Sequence, residues 1–219
     1  MIEITSISTE NEKISWQLAV KLLGVLALAG AAAQIFAVGV LTFWGYTLMN
    51  LQTSESLFLL GDIGFVFGFL CLIVTAPSKS SKLLFGLSLF SYSLYMFYYH
   101  QAVLNIGYLK ITDFPFQFSV TNTHIFAENP FIIMIPGVQI AVAVTLIFGA
   151  ALYLRSGKLT VWRAAPLALG VWLLTHDVLQ FFWGIGSGSM VSALTFWLYL
   201  PIPLFFGIFA AGLFMEKRA

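Results

Sequence analysis

Charge is scarce in this chain of 219 residues: Asp, Glu, Lys and Arg together make up 9% of it, against about a quarter in a soluble domain. So few ions cannot clothe a surface in water, which excludes an ordinary soluble globular domain. Cysteine is rarer still. The single Cys71 excludes a disulfide framework, a CxxC redox pair and a cysteine-based zinc site. Basic clusters are missing, and a net charge of +1 offers nothing to nucleic acid. Short alternating strands are missing as well, which excludes an outer-membrane barrel. No internal repeat is visible: the halves would be inverted three-helix units, yet their glycines and prolines do not correspond.

What fills the chain is hydrophobic sequence, 60% of all residues, in recurring runs of roughly 20, each enough to cross a hydrocarbon core of about 30 Å as a helix. The expected fold is therefore all-α, a single transmembrane domain over residues 1–219 built as a bundle of six transmembrane helices. The spans fall at about residues 20–46, 56–76, 83–108, 131–154, 162–183 and 190–215, with 109–130 as the long outer loop. Residues 1–15 are polar, with three glutamates against one lysine. That charge is wrong for a cleavable signal, so they read as a short exposed tail, with Ser15 capping the first helix.

With the N-terminus and C-terminus both cytoplasmic, nine of the ten Lys and Arg residues fall on the cytoplasmic side and only Lys110 lies outside. This is the positive-inside pattern. It predicts a multi-pass protein of the cytoplasmic (plasma) membrane of a prokaryote, whose partners are the lipid bilayer and, within a complex, other membrane subunits.

Small and polar residues mark where helices should meet. Ala29, Ala33 and Ala37 form a small-xxx-small row, and Gly61, Gly64 and Gly68 include a GxxxG pair. Gln34, in the middle of the first span, is expected to hydrogen-bond across the bundle. Helical spacing puts Ser88, Tyr92, Tyr95 and Tyr99 on one face, suited to interhelical hydrogen bonds or a polar path. Pro201 and Pro203 predict a kink in the sixth span, and the alternation Phe114, Phe116, Phe118 and Val120 predicts an extended or hairpin segment with one apolar face, lying over the bundle mouth.

The most informative stretch is Thr175-His176-Asp177, an imidazole beside a carboxylate inside an apolar run. Ionisable residues at such depth are costly and mark functional sites by default. At about 1.5 Å per residue, His176 and His100 lie about 12 Å below the outer ends of their spans and Asp62 about 9 Å below. Gln101, Asn105, Gln139 and Gln180 share that outer half, while Tyr92 belongs to a nearly apolar inner half. An outward-opening polar pocket is the expectation.

Three chemistries suit it. Two histidines on different helices can ligate copper or zinc, with Asp62 or Asp177 as oxygen ligand or orienting partner, or can bracket a haem. A quinone-like substrate fits among the aromatics, with His176, Gln180 and Trp183 on one face of the fifth span. A proton-coupled transporter would instead use Asp62 and the His176-Asp177 pair as groups that change charge. The plainest alternative is a scaffold subunit in which these residues only satisfy one another. On the third span His100 stands about 100° from the Ser88–Tyr99 stripe, so His176 is the stronger ligand candidate.

Overall fold

The computed structural model describes the backbone of residues 3–44, 48–110, 130–157, 159–182 and 200–215, and the side chains of 16–40, 43, 56–97, 137–157, 159–176 and 200–215. Among the described residues there are six helices: α1 (Glu3–Trp44), α2 (Leu48–Thr75), α3 (Lys79–Lys110), α4 (Pro130–Arg155), α5 (Val161–Phe182) and α6 (Pro201–Met215). By length and composition, three contain stretches able to cross a membrane: Trp16–Val40, Ser56–Thr75 and Gly137–Arg155; α6 is a shorter apolar helix.

The ends of these helices follow local chemistry. α1 starts at Glu3, where the sequence suggested a non-helical tail. Before Gly24 it contains neither glycine nor proline, so nothing interrupts propagation from the span into the polar segment. Ser78 caps α3: its Oγ accepts the Ser81 backbone N–H at 3.1 Å, directly after Pro77. Pro201 and Pro203 stand in the first turn of α6, where a missing N–H breaks no intrahelical bond. The kink expected at these prolines would join α6 to residues 190–199, so it falls at the edge of the described residues. Residues 190–199 of the expected sixth span, and 111–129 of the outer loop with its Phe114–Val120 alternation, lie outside the described residues.

Each helix from α2 to α5 packs against its two neighbours in the chain, and α6 packs back on α1, closing a ring; α6 also reaches α2. The α1–α2 contact is the most intimate. A Cβ added to Gly30 would collide with the Cα of Gly64, and one added to Gly64 with the Cα of Gly30, so backbone lies on backbone. The row that faces the bundle runs through Gly24, Ala27, Gly30, Ala31 and Gln34, all buried. The predicted alanine row does not: Ala29 is exposed, Ala33 half-buried and only Ala37 buried. Its four-residue steps drift off the contact face because a helix turns once every 3.6 residues.

The two glycines of the GxxxG pair have different tasks. Gly64 meets α1, whereas a Cβ at Gly68 would stand 2.7 Å from the Phe206 ring of α6. Phe206 stacks on Phe65 at 4.3 Å between centroids and meets Phe69 edge-on at 5.2 Å. With Phe85, Leu72, Leu146, Leu169 and Phe209, these rings fill the interior. Large apolar side chains also cover the outside, such as Leu18, Phe90, Phe148 and Val161. A water-facing surface would not tolerate that, and a hydrocarbon-facing one requires it.

Replacing Gly64 with leucine should push α1 from α2 and cost about 1–3 kcal/mol, the usual range for overpacking. Gly86→Leu is the control, because a Cβ there meets nothing within 4 Å. Thermal unfolding in detergent checks the pair; equal midpoints for the two variants would remove the Gly30–Gly64 contact from the account.

Candidate functional site

Asp62 is the fifteenth of the 28 residues of α2, about 20 Å from either end. It is buried, with 5% of its surface accessible. Its Oδ1 accepts two hydrogen bonds of 2.7 Å, one from Nε2 of Gln34 on α1 and one from the hydroxyl of Tyr92 on α3. One carboxylate oxygen thus ties three helices together. Both donors are uncharged.

The neighbouring sequence explains how they arrive. Gln34 passes across Gly61, where any Cβ would collide with its Cγ. The glycine before the aspartate is therefore the slot through which the amide reaches it. Tyr92 comes from the opposite side, its ring 5.4 Å from Phe69, 6.0 Å from Phe65 and 5.8 Å from Tyr95. One turn away on α3, Ser88 Oγ and Thr145 Oγ1 of α4 share a hydrogen bond of 2.9 Å. Each also lies within hydrogen-bond distance of the carbonyl four residues back on its own helix, Leu84 or Ala141, so the two O–H protons serve two of these three contacts at a time.

The hydroxyl stripe of α3 therefore faces the interior at Ser88 and Tyr92, with Tyr95 half-buried; the side chain of Tyr99 lies outside the described residues. Gln34 bonds across the bundle as its position suggested. The Asp62–Tyr92 bond is what sequence reasoning missed, since it placed the two in opposite halves. That separation came from counting Asp62 from the outer end of its span. Counted from the turn that joins α2 to α3, Asp62 is 13 residues before Thr75 and Tyr92 13 residues after Lys79, so the two stand level.

His176 is buried at 1% accessibility and continues the buried row Ala165–Leu169 of α5. Thr175 beside it is exposed, its hydroxyl bonded to the Val171 carbonyl at 2.8 Å. Trp162 of α5 packs on Gly212 of α6, and Phe206 of the same α6 stacks on Phe65 of α2.

Among the described residues, no three His, Cys, Asp or Glu side chains form a group able to hold a metal ion. The side chains of His100, Asp177, Gln180 and Trp183, candidates for metal, haem or quinone binding, lie outside the described residues. No family model, curated protein or solved structure matches this chain.

Tyr92→Phe and Gln34→Leu each remove one donor from a buried carboxyl and should cost about 1–3 kcal/mol. In an Asp62→Leu background most of that cost should vanish, because the acceptor is already gone. Unfolding measurements on the double-mutant cycle check this; full additivity would mean that the bonds do not act through Asp62.

Proposed function

We propose that this chain is a six-span integral membrane protein of a prokaryotic cytoplasmic membrane, both termini cytoplasmic, and that it acts as a small proton-coupled transporter with Asp62 as its proton-exchanging group. The observation that carries the reading is the hydrogen-bonded carboxyl at the midpoint of α2, buried between α1 and α3. Insertion scales put the cost of an aspartate at the centre of a membrane helix at about 2.5–3.5 kcal/mol, an upper figure for Asp62, which stands nearer one end of the crossing stretch Ser56–Thr75. A hydrogen bond to a charged group returns about 1.5–3 kcal/mol. Two such donors make the carboxylate tolerable where it would otherwise be expelled.

The same cradle supports a coupling step. When a proton arrives, the carboxylate becomes a carboxylic acid with an O–H donor of its own, and the preference of Gln34 and Tyr92 for Oδ1 weakens. The contact between α2 and α3 then loses part of its polar link, while the glycine contact between α1 and α2 is untouched. In the proposed orientation, Phe65, Phe69, Phe206 and Phe209 close the cytoplasmic side of Asp62. Cargo and protons would enter from the outer side.

A second reading keeps the redox role and rests on the buried imidazole of His176. Here His176 would bind a metal such as copper or zinc, a haem or a quinone-like molecule, with His100, Asp177, Gln180 and Trp183 as further candidate contacts. A scaffold subunit of a membrane complex is what remains if neither group does chemistry.

Infrared difference spectra of the membrane-reconstituted protein across a pH titration should show a protonated-carboxyl band that Asp62→Asn abolishes. A titration identical in the variant would defeat the transport reading. Elemental analysis and visible absorption of the purified protein test the second one: stoichiometric iron, copper or zinc that disappears in His176→Ala would support it. Metal retained in that variant would remove His176 from the site.

A further inference from the structure

α1 is longer than a membrane needs. Its 42 residues extend about 63 Å, roughly twice a hydrocarbon core of about 30 Å. The stretch suited to crossing is Trp16–Val40, so Glu3–Ser15 continues the same helix beyond it. This segment contains neither Pro nor Gly, so the helix leaves the span without a hinge and is not free to lie along a lipid surface. A projecting helix of that length is marginal by itself in water.

The sequence of the projection has a pattern. Ile4, Ile7, Asn11, Ile14 and Leu18 follow alternating steps of three and four residues, the a and d positions of a coiled coil. After one extra four-residue step to Leu22, a stutter, the alternation resumes through Val25, Ala29, Ala32 and Phe36. Within the span, each of these positions from Leu18 to Phe36 is exposed, on the side of α1 turned from α2 and α6. The row crosses the whole membrane stretch. At its middle stand two alanines, which leave room for another helix to approach closely.

We infer that α1 is the dimer seam of this protein, pairing in parallel with α1 of a second copy from Ile4 to Phe36. A second copy is favoured over an unrelated partner by the residues themselves. Isoleucine at both a and d, as at Ile4, Ile7 and Ile14, would by itself favour three or four strands, and the single a-position Asn11 is the residue that specifies register and selects two. The flanking pairs of a parallel dimer are Glu3 with Ser8 and Glu10 with Ser15, so the acidic segment meets its own copy without like charges in contact.

Cysteine scanning of the full-length protein in native membranes tests the seam, since the natural chain has only Cys71, which is buried. Under mild oxidation, Ile7→Cys and Ile14→Cys should give a disulfide product of twice the chain's mass, several-fold more than Thr9→Cys and Glu12→Cys on the opposite face. The unsubstituted chain should give none. Thermal midpoints equal to that of the unsubstituted chain show that the variants keep their fold. Equal yields at all four positions, no product at Ile7 and Ile14, or a product with the mass of a different partner would each overturn the inference.

Discussion

A carboxylate in an apolar bundle must be met by donors, and the donors must come from other helices. That requirement shapes the centre of this molecule. Gln34 can meet Asp62 only because α1 and α2 touch backbone to backbone at Gly30 and Gly64 and because Gly61 leaves the amide a passage. Tyr92 completes the arrangement from α3. The glycines are thus part of the polar site, although they carry no chemistry themselves. Without them Asp62 would have to be solvated by water or expelled from the bundle.

Around that centre the helices divide into two kinds of contact. α1–α2 is governed by absence of side chain, and α3–α4 by a short hydroxyl bridge, Ser88 to Thr145. By contrast, α2, α3 and α6 meet through large rings: Phe65, Phe69, Tyr92 and Phe206. Backbone contacts are rigid, because no rotamer can adjust them. Ring contacts can slide or tilt with less loss, so the α2–α3–α6 seam is where motion linked to Asp62 would have the lowest cost.

Much of this was legible in the sequence, and the rest was not for physical reasons. Helical class followed from the long apolar runs, and the interior stripe of α3 from its spacing. Gln34 stood out as a lone amide in an alanine-rich span. The tail before Trp16 was misread because polarity was taken as a sign of non-helix; its Ile, Thr, Ser and Asn are weak helix formers, yet it holds no Gly or Pro to stop a helix that runs on from the span. The alanine row at 29, 33 and 37 was misread because small residues pack equally well on two faces, and composition does not say which face is inside. The Asp62–Tyr92 bond was missed because depth was counted from the outer end of the span, where the two fall in different halves, and not from the short α2–α3 turn, which sets them level.

The ring closes between the first helix and the last, with Gly24 of α1 against the Phe214 ring of α6. Those residues are separated by nearly the whole chain, and Phe206 is also the ring that fills the notch at Gly68. During synthesis, α1 to α5 are therefore made before the piece that shuts them exists. Until α6 arrives, the notch beside Phe65 and Phe69 stands open to whatever apolar matter is near. The ring can therefore close only once α6 has been made.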